Sequence, residues 1–495
     1  VTAKPPPLSA APRPRFRLGR FLLKAFVAVL LVLLVWHISF RIRTNNAIKR
    51  LETKARANGE PWTLVEVAAT YYGPIPDEEN AAIPLMALWE EEDPELWKAF
   101  RDGAHSLPSR VTKDIPEGLP VFSRSWRRPS GTNGMKKAEA ELMSAFIGQN
   151  SDHLDRLHQA LQLRRARFPV KIENGHGALL PHLRPIMEES RLLRLECLHR
   201  VAEGDLEKAM RAVTANFRCA DLLSDDPLLV SQLVRVACMA IAVASIEDVL
   251  NQVSLPNELL LRLARIVDQS QTTNLFQRAH VADRAVGNSV YLDPQQLANV
   301  FALTEAFGET PEEVRSSTQM LLLVMRPTGW LAADRAYYLE KTGLMIDHLR
   351  LGYPERLKIA ALDFPTLKSE VSSMPPKMIS GMLLPALGKS IKRQARLDAI
   401  FRCASTALAV ERYRANRNGR LPENLDQLVP AFLPSVPIDP YDGLPLRYRM
   451  LGRGYTVYSV LDDRVDDGGK EKVGSAISDD SDEAETFDEA FTVTR

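Results

Sequence analysis

Arg396-Leu397-Asp398-Ala399-Ile400-Phe401 opens a run in which Leu397, Ile400, Ala404, Leu408 and Tyr413 fall on one helical face until Gly419 stops it. Leu421-Pro422-Glu423-Asn424-Leu425 and the turn Asp439-Pro440-Tyr441-Asp442-Gly443 follow. Leu446-Arg447-Tyr448-Arg449-Met450 and Tyr455-Thr456-Val457-Tyr458-Ser459-Val460 then flank Gly452-Arg453-Gly454. Alternation on both sides of a glycine turn predicts a β-hairpin. A helix followed by a hairpin defines a small α/β module over 385–470, closed by Asp462-Asp463-Arg464-Val465-Asp466-Asp467-Gly468-Gly469. No catalytic constellation lies in it.

Upstream, the signals are helical. Ile186 to Ala202, a turn at Glu203-Gly204, and Asp205 as a cap for Leu206 to Leu223 predict a helical hairpin. Ser224-Asp225-Asp226-Pro227 restarts the chain into Leu228 to Leu250, which is apolar nearly all round and reads as a buried central helix. Gln232 and Arg235 argue against a membrane span there, since a central Arg costs about 2.5–3.5 kcal/mol on insertion. The fold class is therefore mainly α, with an α-helical hairpin scaffold over 135–376. Met374-Pro375-Pro376 marks its boundary with the C-terminal module.

The N-terminal part divides into a basic, Pro-rich tail over 1–20, an apolar run from Phe21 to Phe40, and juxtamembrane helices with an irregular connection over 41–134. Twenty mostly apolar residues match the length a helix needs to cross hydrocarbon. Bulky Trp36-His37-Ile38-Ser39-Phe40 lacks a small-residue cleavage site, which makes the run a signal-anchor. A short tail without acids places the N-terminus inside and the large domain exoplasmic, although Arg41, Arg43, Lys49 and Arg50 oppose that count. Lys24 stands where a pilin-type start would carry Glu. Thr63 is the expected cap of a short helix from Leu64. Asp479, Asp480, Asp482, Glu483, Glu485, Asp488 and Glu489 make 471–495 an expected acidic, solvated tail.

The 495 residues are 45% hydrophobic and 25% charged with net charge +1, which allows sizeable cores and gives no reason to expect nucleic acid. Cys197, Cys219, Cys238 and Cys403 form no metal-ligand spacing and read as small buried hydrophobes. Helix register excludes a Cys197–Cys219 disulfide and leaves Cys197–Cys238 as the only pair of this region at matched height.

Several tempting motifs fail. Gly388-Lys389-Ser390 lacks the first glycine of a phosphate loop, because position 383 is Leu. Gly175-His176-Gly177 lacks the third glycine of a dinucleotide turn. His153 and His158 are five apart, unlike a metal pair on one helix face, and are expected at the surface. His182, His199 and His280 have no sequence-local acid or nucleophile. Trp89, Trp97 and Phe100 read as core.

The series Tyr413-Arg414, Gly419, Pro422, Leu425, Leu428, Pro437, Asp439-Pro440, Gly443, Tyr448, Tyr458-Ser459, Asp463 and Gly468-Gly469 resembles the C-terminal half of the type II secretion major pseudopilin. The resemblance implies a helix packed on a small antiparallel sheet and an Asp/Gly loop holding Ca²⁺, here through Asp463, Asp466 and Asp467. Leu461 stands where that family usually has Gly, and the helix is not N-terminal. Gly59-Glu60-Pro61, Glu79-Asn80-Ala81-Ala82 and Ala202 to Ala209 also resemble single-span membrane proteins of planctomycete type. The last of these segments is similar to the turn of a tetratricopeptide hairpin, without a second copy at a period near 34 residues. The expected role is a membrane-anchored binding or structural protein, with an envelope protein as candidate partner. The alternatives are a divergent hydrolase with its site between scaffold and module, and an accessory protein of a secretion system.

Overall fold

A computed structural model describes residues 18–101, 119, 137–271, 274–303, 310–359, 377–470 and 487–495. The expected tail over 1–17, most of the irregular connection over 103–134, and residues 471–486 lie outside them.

The protein is mainly helical. Helix α1 runs unbroken from Leu18 to Ala57, joining the apolar run to the polar helix beyond it. Gly59, in the left-handed region, turns the chain after it. The short helices α2 (Leu64–Tyr71), α3 (Ala82–Glu92) and α4 (Pro94–Arg101) follow, and Thr63 caps α2 by accepting from Glu66 N. Next come α5 (Lys137–Gln149), α6 (Ser151–Ala160), α7 (Leu183–Ala202), α8 (Leu206–Asp221) and α9 (Leu229–Gln252).

Helices α7, α8 and α9 pack on one another as the central bundle. Asp205 caps α8 through Lys208 N at 3.0 Å. Asp226, rather than Pro227, starts α9: its carboxylate accepts from Leu228 N and from Ser231 Oγ at 2.9 and 2.8 Å. Two polar side chains of α9 find partners inside the protein, Arg235 Nη2 at Asp221 (2.8 Å) and Gln232 at the carbonyls of Leu223 and Asp226. The helix is long and apolar enough to cross a membrane, yet it is mostly buried in protein.

All four thiols are free and buried. The expected match of Cys197 with Cys238 is corrected by the packing. The Cys238 carbonyl meets Ser190 Oγ, seven residues before Cys197 on α7, or ~10 Å along that helix.

Helices α10 (Asn257–Ser270), α11 (Leu275–Leu292), α12 (Pro294–Leu303), α13 (Pro311–Thr328) and α14 (Trp330–Leu349) continue the scaffold. Thr310 and Glu313 close a reciprocal capping box on α13. Helix α14 packs against α11 and along α1, where Ile48 and Ala55 are buried and Lys54 meets Asp347 at 2.7 Å. Tyr338 of α14 sits over Gly287 of α11, whose missing side chain makes the approach possible, since a Cβ there would lie 2.1 Å from the hydroxyl.

Helix α15 (Met378–Asn416) begins before residue 385, the expected start of the module, and carries Pro385 within it. Its N-terminus is pinned to α14. The buried Asp334 carboxylate accepts from Ile379 N at 2.9 Å, Ser380 N at 3.2 Å and the Ser380 hydroxyl. The helix packs on α9, α10 and α14 as well as on the sheet. The C-terminal module is therefore not set apart: its helix is also a scaffold helix. The expected boundary at 374–376 lies outside the described residues.

Strands β1 (Arg447–Met450) and β2 (Tyr455–Ser459) form the expected hairpin, paired from Arg447 with Tyr458 to Met450 with Tyr455. The sheet has a third strand. β3 (Glu489–Val493) pairs antiparallel with β2, and all five of its residues are buried. This corrects the expected acidic tail over 471–495. Residues 487–495 are part of the core, because Phe491 and Val493 supply apolar area and Glu489 and Arg495 find charged partners. Arg396 meets Glu489 at 2.6 Å, and Arg495 pairs with Glu411. Glu247 and Asn251 of α9 accept from the backbone of Thr492 and Thr494 at 2.8 and 2.9 Å.

Candidate functional site

The turn at Asp439-Pro440 is the hub from which the Asp/Gly loop is built. Asp439 is fully buried, with four donors on its carboxylate. Tyr441 N and Ser459 Oγ donate to one oxygen at 3.0 and 2.9 Å, and Val460 N and Arg447 Nη1 to the other at 2.9 and 3.1 Å. Arg447 also clamps Asp442. One carboxylate thereby ties the turn to β1 and to the end of β2, which fixes where the next loop begins.

That loop leaves β2 through Leu461, with φ +54°, and turns again at Arg464, Gly468 and Gly469, all at positive φ. A glycine would relieve the strain at Leu461. Gly469 cannot carry a side chain, because a Cβ would press on Thr456 and Tyr458 at 3.0 and 3.1 Å while already in the left-handed region. The loop thus folds back over β2.

Its carboxylates are held locally. Asp462 pairs with Lys392 at 3.0 Å. Asp463 accepts from Val465 N at 3.0 Å. Asp466 accepts from Gly468 N and from the Tyr458 hydroxyl, both at 2.9 Å. Asp467 is half-buried beside them. Among the described residues, no three His, Cys, Asp or Glu side chains are grouped to hold a metal ion.

The residue the sequence reading missed is Asp488. It is buried, one oxygen accepts from Gly469 N at 2.7 Å, and the other has no hydrogen-bond partner. Burial, and then the nearby charges of Asp466, Asp467 and Asp463, push its carboxyl up to about 6. Asp488 stood among the acids of the expected tail, and only the pairing of β3 brings it to the loop.

The histidines also differ from expectation. His158 is buried, and His153 nearly so, because α6 faces α7 and each ring meets a glutamate there. His153 lies 2.9 Å from Glu189 and His158 2.7 Å from Glu196. His182 stacks on Phe168 at 4.2 Å, continuing a column with Trp89 and Trp97. Gly175-His176-Gly177 ends a short 3-10 helix (Ile172–Gly177), kinked at Gly175 and docked on α12, where Gln296 accepts from His176 N at 3.1 Å.

His280 and Ser390 are the one nucleophile–base type of pair the described hydrogen bonds form across the boundary of scaffold and module. Ser390 Oγ lies 3.1 Å from His280 Nε2, and His280 Nδ1 lies 2.9 Å from the Phe276 carbonyl. Among the described residues, no carboxylate is hydrogen-bonded to the ring. The serine proton also serves the Leu387 carbonyl at 2.6 Å, and burial lowers the imidazole to about 4. Both side chains are buried, so the arrangement ties α11 to α15. The Gly388-Lys389-Ser390 triplet that carries it is helix.

Comparison of the chain with protein-family models, with curated proteins and with solved structures finds no match in any of the three.

Proposed function

We propose that this is a membrane-anchored protein with a binding or structural role at the cell envelope, its helical body on the exoplasmic side. The observation that carries the reading is the division of labour along α1. Leu22 to Val35 is apolar apart from Lys24 and exposed along its length, whereas Ile48 to Ala55 is riveted to α14. Twenty residues of such helix span ~30 Å, the thickness of hydrocarbon, and water is a costly environment for that surface. One continuous helix then serves as both span and strut. The full-length protein is expected to stay in the membrane pellet after alkaline carbonate washing, with its C-terminal strand accessible to protease added outside spheroplasts. Release into the supernatant would overturn the anchor, and protection of the C-terminus would reverse the orientation.

A second reading, that the Asp/Gly loop takes a hard cation such as Ca²⁺, is supported by the unpartnered buried oxygen of Asp488 facing the loop acids. Asp463, Asp466, Asp467 and Asp488 would hold the ion, with Asp463 and Asp466 releasing backbone N–H groups to do so. The folded state takes up the Asp488 proton near pH 6, above its ordinary 3.8. Stability from this group is therefore gained as pH falls through about 6 and is lost as pH rises through it. A cation would do the same work at neutral pH. Millimolar calcium should raise the melting temperature of the full-length protein at pH 7.5, and the gain should vanish at pH 5 or in Asp488→Asn. Superimposable melts with calcium and with chelator at pH 7.5 would dismiss the ion and leave a proton-linked loop.

A further inference from the structure

Helix α13 is apolar on two faces. Its inner face, Val314, Thr318, Leu322 and Met325, is buried against the scaffold. On the outer face Met320, Leu323, Val324 and Pro327 follow one another at helical spacing and stand in the open, Leu323 at 75% exposure. Scattered exposed apolar residues are ordinary, but a stripe of four along two turns is an amphipathic face that no described residue covers.

Its position says what covers it. Helix α13 ends at Gly329, whose absent Cβ would meet Phe40 Cε1 and Arg41 Cγ at 3.3 Å. The corner between α13 and α14 thus abuts α1 where the apolar run ends. Protein contact with α1 already begins at His37, Ser39 and Phe40, inside that run, so the neighbouring elements reach the level of the lipid boundary. Leu292, also exposed, ends α11 at the same level, because Tyr291 meets Asp334, one turn beyond Trp330, at 3.2 Å. From there α14 climbs α1 toward Lys54 and Asp347, away from the membrane. Arg326 and Arg315 lie exposed on α13, and Arg41 and Arg43 on α1, where lipid phosphates would stand.

We propose that the Met320–Leu323–Val324–Pro327 face of α13 lies in the lipid–water boundary of the same bilayer that α1 crosses, so that the ectodomain rests on the membrane at a second place. The proposal builds on the reading of α1 as a span. An interfacial helix needs an apolar stripe on one side, polar flanks and basic residues at the headgroups, and it sits roughly 5–10 Å into the boundary. The α13 face supplies these in continuity with α1. The body is then held at a fixed tilt instead of swinging on a single helix.

Full-length protein in vesicles of phosphatidylcholine and phosphatidylglycerol tests this. The native thiols are all buried, so one introduced cysteine can carry an environment-sensitive fluorophore. Three sites are compared: Leu323→Cys, Val35→Cys within the span, and Val65→Cys, an exposed apolar position beyond the far end of α1. The Leu323 label should be quenched by a nitroxide near the lipid headgroup and shielded from aqueous iodide several-fold relative to the Val65 label. Met320→Cys repeats the measurement should the Leu323 variant express poorly. A label at 323 or 320 quenched by iodide as readily as that at 65 overturns the contact. So does one reached by neither quencher, which would mean a second copy or a partner protein covers the face. The Val35 label reports on the anchor separately: its exposure to iodide would defeat the span, whatever the label at 323 shows.

Discussion

Removing residues 487–495 should cost the protein most of its stability, although sequence alone would recommend them as a dispensable tail. The deletion takes Phe491 and Val493 out of the core and leaves β2 as a bare edge. Gly454 marks how closely the strand is fitted, because a Cβ there would lie 1.7 Å from the Val493 carbonyl. Two buried apolar side chains contribute roughly 3–6 kcal/mol together. Glu247, Asn251, Arg396 and Glu411 would also lose the groups that satisfy them. Because Glu247 and Asn251 belong to α9, the damage should spread into the helical bundle and not stop at the sheet. A fall in melting temperature of about 10 °C is expected by circular dichroism, with loss of a single sharp transition. Phe491→Ala should give a large part of it, about 3–5 kcal/mol. A truncated protein that melts like the full chain would show that β3 lies outside the cooperative unit.

The contrast between β3 and its hairpin shows what a sequence can carry. Thr63 and Asp205 cap their helices as read, and Tyr455 to Ser459 pairs as read, because cap, alternation and glycine turn all lie within a few residues of the element they specify. The alternation of Glu489-Ala490-Phe491-Thr492-Val493 is equally local, but the acids before it carry the signature of a solvated tail. What makes it a strand is a partner edge more than thirty residues earlier and two α9 side chains some 240 residues earlier. The histidines fail for the same reason. His153 and His158 were legible as a pair that could not share a metal, but not as two rings each facing a glutamate of α7. Local chemistry specified elements, whereas the loop's fourth carboxylate and the outer face of α13 depend on what the folded chain brings beside them.

Glu60→Ala is the single substitution expected to do most harm to the junction between α1 and the rest of the body. Glu60 follows the last turn of α1 and is buried between two guanidinium groups. Arg284 of α11 reaches one oxygen at 2.7 Å, and Arg350, just past α14, pairs with the other. Arg284 also donates to the Pro61 carbonyl at 3.1 Å and lies over the Trp62 ring at 5.1 Å. The carboxylate therefore sits where α1, α11 and α14 converge. Alanine would leave the Arg284 charge almost fully buried without its counter-ion, a loss of about 3–5 kcal/mol. The buried pair need not itself stabilise relative to an apolar core, since taking both charges out of water is costly. A double variant, Glu60→Leu with Arg284→Met, should accordingly recover much of what Glu60→Ala loses. Urea titration of the detergent-solubilised protein would measure the three proteins side by side. Protease cleavage near Asn58-Gly59 should rise in the single variant and subside in the double one. Equal loss in both variants would mean that shape, and not stranded charge, governs the joint.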